Sequence, residues 1–296
     1  MPVKCEIYRD HFQNAKQYNI ERADLLVADV PYCIGSNFNA SRPSWWQGGR
    51  VENGESSKAG KAAFKTDYTF SIPDFFAFAS RLLKKEPAKG EKGAPCMIVF
   101  CAFQQIPEII SEAAKYGFKK YQHLTLIKKS SPQVLKANMR ICSACEHALV
   151  LYRDKLPKFN NLGDDGQKHM ILDWFEFVRD GKEIPRIHPT QKPVNLLKRL
   201  ISIFTDPGDT VIDVCCGSGS TLRAARELGR NSYGFEIDRE FFTRARDEML
   251  AMPTSPATAP ITSAPTSTPT SPATTTPATT PPTSAPTTPT TTPVQV

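Results

Sequence analysis

The chain has 296 residues, with 37 lysines and arginines against 30 aspartates and glutamates and a formal charge of +7. That surplus suits a polyanionic partner, whereas no apolar run approaches the ~18 residues of a membrane span, so a soluble protein with no membrane partner is expected. From Pro253 to Val296 nearly every residue is Thr, Pro, Ser or Ala, with no charge and no aromatic ring, which excludes a packed core there.

Residues 1–252 are therefore expected to form one α/β domain with insertions, and 253–296 a disordered tail. Met1-Pro-Val-Lys-Cys5 shows no signal-peptide pattern and leads into a strand over Lys4 to Tyr8. Arg9, Asp10 and His11 follow, then a helix over Phe12 to Ile20. Ala23 to Asp29 reads as a buried strand that runs into Val30-Pro31-Tyr32. An acid and an aromatic ring thus stand at a strand's carboxyl end, where open α/β sheets bind ligands.

Between 35 and 67 the composition turns to Ser, Gly, Asn, Lys and Arg around Trp45 and Trp46. Long stretches without periodicity are usually functional insertions, and Arg42, Arg50, Lys58, Lys61 and Lys65 suit phosphate contacts. Phe70 to Leu83 has helical apolar spacing, Lys84 to Gly93 forms a basic loop, Cys96 to Cys101 a strand, Ile106 to Tyr116 a helix and Tyr121 to Lys128 a strand. Lys128, Lys129, Lys136 and Arg140 make a basic run that is either a solvated face or a contact to a nucleic-acid backbone. Glu146 to Leu151 is expected as an antiparallel edge strand of an otherwise mostly parallel sheet of about seven strands, covered by helices on both faces. Residues 154–185 are mixed in character and form a second insertion.

Arg186-Ile-His188-Pro-Thr190-Gln-Lys192-Pro193 precedes a helix over Val194 to Phe204, with Pro193 suited to its start. Asp206-Pro-Gly-Asp209 then turns into a β-loop-α-β unit: a strand over Thr210 to Val214, the glycines Gly217 and Gly219, a helix from Ser220 to Leu228, and a strand closing at Phe235-Glu236-Ile237. The two glycines allow a sharp turn and close approach of a ligand to the backbone. Glu236, about 20 residues further on, is placed to accept hydrogen bonds from ribose hydroxyls. A dinucleotide dehydrogenase would show a third glycine where Thr221 and Leu222 stand.

Eight cysteines are scattered, mostly in apolar strand-like stretches, and read as buried reduced thiols. Cys142-x-x-Cys145 with His147 lacks a second pair at zinc-ribbon distance, so no metal is expected.

Three of these stretches are similar, in order, to the motifs of one family. Asp213-x-x-x-Gly217-x-Gly219 followed by Gly234-x-Glu236-x-Asp238 resembles the S-adenosylmethionine-binding motif of amino-methylating DNA methyltransferases, with Cys215 where the family usually has Phe. Asp29-Val30-Pro31-Tyr32 resembles their catalytic Asp-Pro-Pro-Tyr, Val30 replacing the first proline. His188-Pro-Thr190-Gln-Lys192-Pro193 is close to their cofactor motif before a helix. A catalytic stretch that precedes the cofactor stretches is the order of the family's β group, and the resemblance spans residues 4–250.

It implies an α/β, Rossmann-like S-adenosylmethionine-dependent methyltransferase fold and methyl transfer to adenine N6 in DNA. Asp29 favours adenine, because the cytosine-N4 members more often begin the tetrapeptide with Ser. Cytosine-N4 methylation, RNA methylation and a catalytically lapsed nucleic-acid-binding homologue are the alternatives. In the implied catalytic set of Asp29, Val30, Pro31 and Tyr32, the carboxylate and the Val30 carbonyl accept hydrogen bonds from the base amine, and Tyr32 stacks on the extruded base. The implied cofactor set is Asp10, His188, Thr190, Lys192, Asp213, Cys215, Gly217, Gly219 and Glu236, with Thr190 at the methionine carboxylate and Lys192 complementing its charge. DNA and a second copy of the chain are the implied partners, in a restriction-modification setting in the cytoplasm of a bacterial or phage-infected cell. Residues 154–185, helped by 35–67, would carry target recognition. Valine keeps the carbonyl but not proline's φ restraint, so Val30→Pro is expected to preserve activity provided that the Val30 N–H makes no buried hydrogen bond.

Ending the chain after Met252 is expected to leave thermal unfolding and methyl transfer unaltered, since the tail offers neither core-forming residues nor charge. A lost or broadened melting transition in the shortened protein would show that the tail packs on the domain.

Overall fold

A computed structural model describes residues 2–32, 70–91, 93–129, 144–162 and 166–251, and the backbone of 134–136 and 141–142. The basic insertion 35–67, Arg140 and the tail from 253 lie outside the described residues.

Eight strands form one sheet in the order β1-β10-β9-β2-β3-β7-β4-β8: β1 (Cys5–Tyr8), β2 (Leu25–Asp29), β3 (Cys96–Cys101), β4 (Lys120–Lys128), β7 (Cys145–Tyr152), β8 (Trp174–Phe177), β9 (Thr210–Asp213) and β10 (Asn231–Phe235). Two short strands, β5 (Val134–Lys136) and β6 (Ile141–Cys142), pair with each other apart from it. Every neighbouring pair in the sheet is parallel except those that β7 makes with β3 and β4. The antiparallel strand therefore exists but is not an edge: it runs between β3 and β4. Its run Ala148-Leu149-Val150-Leu151 is buried throughout, a pattern that needs a neighbour on both sides and cover on both faces. The outer position goes to β8, which the mixed stretch 154–185 contributes, with Phe175 buried and Trp174 exposed.

Strand side chains alternate between faces, and the two halves of the core follow that period. Leu26, Ala28, Met97, Val99, Cys101, Leu149, Leu151 and Ile212 pack with α1 (Ile72–Ala79), α2 (Ile106–Lys115) and the 3₁₀ turn Phe12–Tyr18. Leu25, Val27, Cys96, Ile98, Phe100, Leu124, Leu126, Ala148, Val150 and Val211 pack with α3 (Val194–Phe204) and with Ala224 and Ala225 of α4 (Ser220–Glu227). A short α5 (Arg239–Arg244) closes the described chain together with a π-helical turn.

Two expected helices are shorter than their apolar spacing suggests. Phe12 to Tyr18 is 3₁₀ and ends at Asn19 in the left-handed region, φ 47°; its buried residues Phe12 and Ala15 lie three apart, the 3₁₀ repeat. α1 is capped by Ser71 Oγ, which accepts from Asp74 N. It stops at Ala79 because Leu82 O accepts from Ala23 N and Lys84 N donates to Ala23 O, so the chain straightens against the start of β2.

Val30, just past β2 and buried, donates its N–H to Phe100 O at 3.2 Å. The condition under which proline is tolerated there is not met. Val30→Pro is expected to destabilise the fold by about 1–3 kcal/mol, the cost of leaving a buried carbonyl without its donor. An unchanged midpoint in denaturant titration would mean that this bond contributes nothing.

Candidate active site

Alternation selects what the α3 face presents at the carboxyl end of the sheet. Leu25, Val27 and Asp29 share one parity on β2, Ala148 and Glu146 on β7, Leu126 and Lys128 on β4, and Val211 and Asp213 on β9. The apolar members cover α3, and the polar ones fall where the strands leave the core. Lys192, just before α3 on the same face, reaches them. Its ammonium, on a side chain only 7% exposed, lies 2.7 Å from Asp29 Oδ2 and 3.3 Å from Glu146 Oε2. Lys128 Nζ holds Glu146 Oε1 at 2.5 Å, and Tyr32 OH is 3.4 Å from Lys192 Nζ.

These groups perturb one another. Burial raises the Asp29 carboxyl above its ordinary value, and Lys192 offsets that only in part. Burial alone would lower the Lys192 ammonium, but Asp29 and Glu146 outweigh it and hold the amine charged. Glu146 is lowered, its burial outweighed by Lys192 and Lys128. Burial pushes the Tyr32 phenol well up, so it stays neutral. Asp29 Oδ1 is buried and has no hydrogen-bond partner among the described residues. Gln105 steadies the stretch from behind, its Nε2 donating to Pro31 O at 2.8 Å and its Oε1 accepting from Ala102 N.

The expected cofactor residues gather at the neighbouring strand ends. β2 and β9 pair in parallel, and Val214 N donates to Val27 O, so the glycine loop opens beside Asp29. Gly217 and Gly219 have φ of 49° and 76°, left-handed values that exclude most side chains, and Gly219 starts α4. Glu236 Oε2 accepts from Gly217 N at 2.8 Å and Oε1 from Asp238 N at 2.7 Å, tying this loop to the end of β10. Asp213 Oδ1 accepts from Cys215 N, and Cys215 is half-buried against the core. Burial raises Asp213 and Glu236, each to about 7.

The turn before α3 is stapled by Gln191, whose Oε1 accepts from Ile187 N and whose Nε2 donates to Pro185 O. Within it Thr190 Oγ1 lies 3.0 Å from His188 Nδ1. The His188 ring packs on Phe241 and faces Gly217, and burial with the nearby Lys192 charge pushes its imidazole down to about 4. Asp10 lies beyond β1, beside β10, but its carboxylate accepts from Tyr18 OH, Asn14 Nδ2 and His11 N and so organises the local 3₁₀ turn.

Lys192 lies against Asp29 and Glu146. Lys128 belongs to the same cluster and not to a solvated run; its neighbour Lys129 pairs with Glu176 at 3.1 Å. Lys128 and Gln105 carry no motif, and Glu146 opens the apolar strand Glu146-His-Ala-Leu-Val150, a stretch similar to the family's central segments, with no role assigned to the acid. Cys145 is exposed, His147 pairs with His123 across 3.0 Å, and no metal-ligand cluster occurs among the described residues.

The crevice fits S-adenosylmethionine. Gly217 and Gly219 expose backbone at the end of β9, and Glu236 is a half-buried carboxylate with no salt bridge to a cation among the described residues, an acceptor matched to hydroxyl donors. No helix among the described residues is long and apolar enough to cross a membrane.

Comparison with known proteins agrees with this geometry. DNA adenine methyltransferase YhdJ of Escherichia coli (strain K12) is 26% identical over 263 residues, covering 81% of this chain and 80% of that protein. Type II methyltransferase M2.DpnII of Streptococcus pneumoniae is 25% identical, over 83% of this chain and 89% of the relative. Among solved structures, the M1.HpyAVI–SAM complex superposes with a TM-score of 0.59 at 22% identity, covering 83% of this chain and 99% of that one. The PvuII DNA methyltransferase (cytosine-N4-specific) gives 0.56 at 16% identity, covering 83% and 86%. The family profile described as DNA methylase matches residues 23–247, and the chain therefore belongs to the N6/N4 DNA methylases, enzymes that use S-adenosylmethionine.

Proposed function

We propose that the chain methylates the exocyclic N6 amine of adenine in DNA, with Asp29 as the group that acts on that amine. The observation that carries this reading is the asymmetry of the Asp29 carboxylate. Oδ2 is held by Lys192, while Oδ1 is buried without a described partner at the carboxyl end of β2. A buried acceptor left open is costly, and an amine N–H is the donor that suits it. The adenine methyltransferase similar over most of its length supports the choice of base.

The amine's lone pair is delocalised into the ring. Accepting its N–H at Asp29 Oδ1 and at the Val30 carbonyl localises that pair on nitrogen in the transition state, where fixed acceptors contribute most. S-adenosylmethionine, when bound, supplies the electrophilic methyl carbon. Asp29, with its raised pKa, accepts the proton that the methylated nitrogen sheds along the same hydrogen bond. Tyr32, a neutral phenol at the cleft, offers its ring to the extruded base. Gly217, Gly219 and Glu236 hold the nucleoside end of the cofactor, and Thr190 with the adjoining backbone takes the methionine carboxylate.

Asp29→Ala is expected to abolish transfer while leaving cofactor affinity within about threefold, because Asp29 acts on the acceptor amine and not on the donor. Transfer of labelled methyl to duplex DNA followed by nucleoside analysis checks both points. A variant that keeps a tenth or so of wild-type turnover removes Asp29 from the chemistry, and N4-methylcytosine as the product overturns the assignment to adenine.

Glu236 generates a pH prediction. Its folded-state pKa is raised to about 7, and ribose hydroxyls bind the ionised form better, so cofactor affinity is expected to rise with pH from about 6 to about 8. The same shift means that this residue's contribution to fold stability declines as pH climbs from its unfolded value towards 7, because the folded state holds the proton more tightly. Calorimetric titration of Glu236→Gln should show weaker binding with a flatter pH response; an unaltered slope would place the titrating group elsewhere.

A further inference from the structure

Lys192, Glu146 and Lys128 form a line of alternating charge that ends on Asp29. Its links are Lys128 Nζ to Glu146 Oε1 at 2.5 Å, Glu146 Oε2 to Lys192 Nζ at 3.3 Å, and Lys192 Nζ to Asp29 Oδ2 at 2.7 Å. They come from β4, β7, the turn before α3, and β2, and strand alternation turns all of them to one face. The Lys192 Nζ also lies over the rings of Tyr32 and Phe100, 5.4 and 5.2 Å from their centroids.

As scaffolding alone this arrangement is a poor choice. Buried ion pairs seldom stabilise more than apolar residues of the same volume would. A network built only for stability would also satisfy its members, whereas Asp29 Oδ1 and Glu146 Oε2 are both left without a hydrogen-bond partner among the described residues, Glu146 Oε2 with only the 3.3 Å ion pair to Lys192. What the line does achieve is to fix which oxygen is open. With Oδ2 gripped by Lys192, the carboxylate cannot rotate to exchange its oxygens without breaking a charge-assisted hydrogen bond. Lys192 is closed on Asp29 at 2.7 Å, while Glu146, itself anchored by Lys128, attracts the same ammonium from 3.3 Å without a hydrogen bond and so sets the side from which it approaches.

We infer that Lys192 and Glu146 are positioning residues for methyl transfer, Lys192 orienting the Asp29 carboxylate so that Oδ1 faces the substrate amine and Glu146 setting where the Lys192 ammonium sits. The inference rests on Asp29 as the group that meets the amine. It moves Lys192 out of the cofactor set and gives Glu146 a role beyond opening its strand.

The test reads kcat, cofactor affinity and the acid limb of the pH profile in Lys192→Met, Lys192→Arg and Glu146→Gln, with Asp29→Ala in parallel. The charged or titratable groups facing Asp29 among the described residues are Lys192, Glu146, Lys128, Tyr32, Asp213, Cys101 and Cys215. Removing the cation should lower kcat on the order of 100-fold, the scale of a misplaced catalytic group, with cofactor affinity held within about threefold. The acid limb in Lys192→Met should move to higher pH, by about one unit or more, because an ionised Asp29 has lost its counter-charge. In Glu146→Gln it should move to lower pH, because a neighbouring anion has gone and Lys192 is no longer shared. Lys192→Arg, which keeps the charge, should leave the limb near wild type.

Opposite displacements from two changes in one network are not what a general loss of packing produces. If Lys192→Met loses cofactor affinity by tenfold or so while kcat at saturation is unchanged, Lys192 serves the methionine carboxylate and the inference fails. Limbs that coincide with wild type in both variants would also overturn it. If Lys192→Met does not fold, the direction of the Glu146→Gln displacement decides alone. A dead Asp29→Ala beside normal Lys192 and Glu146 variants would sink this inference only; an active Asp29→Ala would sink the reading of Asp29 itself.

Discussion

The parallel pairing of β2 with β9 is the constraint on which the site depends. Leu25, Leu26 and Val27 sit opposite Val211, Ile212 and Asp213, so the strand that ends at Asp29 and the strand that ends at the glycine loop finish side by side. The next neighbour of β2 is β3 and that of β9 is β10, on opposite sides. The chain connections therefore diverge at this point and leave a crevice above the carboxyl ends, which is where ligands bind in open α/β sheets. The stretches that end at Asp29 and at the glycine loop, far apart in the chain, meet because of one strand pair.

Once that pair is set, side-chain parity decides which groups can cooperate. The α3 face of the sheet is apolar up to the edge formed by the carboxyl ends of the parallel strands and the amino end of antiparallel β7, where Asp29, Lys128, Asp213 and Glu146 replace the aliphatic residues. Charges are expensive in a core, and at the rim they remain in reach of solvent and of one another: Asp29 keeps 27% of its side-chain surface and Lys128 the same share, while Lys192 keeps 7%. Lys192, flanked by two carboxylates, is thus more buried than Asp29, Glu146 or Lys128. Gly234 serves the same geometry from below α4. A Cβ there would lie 2.8 Å from both δ carbons of the fully buried Leu222, so its absence lets α4 settle on β10 and holds the Gly219 turn against the sheet.

Much of the fold was readable along the chain. Fully apolar runs such as Leu25 to Ala28 and Cys96 to Cys101 announce buried parallel strands, and Gly217 and Gly219 occupy left-handed positions where few other residues fit. The place of β7 was not readable, since its apolar centre is as compatible with an edge beside a helix as with the interior. Nor was β8: Trp174 to Phe177 alternates as a half-buried strand does, but in a stretch whose other residues carry no period.

The residues of the three motifs, their order along the chain, and the strand and turn types beneath them are local properties of the sequence, because backbone preference and apolar period act over a few neighbours. They were enough to identify the kind of fold and its cofactor, and they singled out Asp29 as the acid at the end of β2. The partner of that acid was decided only by the tertiary structure. Lys192 sits in a stretch that reads as a cofactor motif, Lys128 in a basic run and Glu146 at the mouth of a strand, and nothing in their spacing links them. Three strands and the approach to α3 must pack with one register before their side chains share a face. Attraction between charges falls off over a few ångströms, so it is fixed by distance in space and carries no trace of distance along the chain.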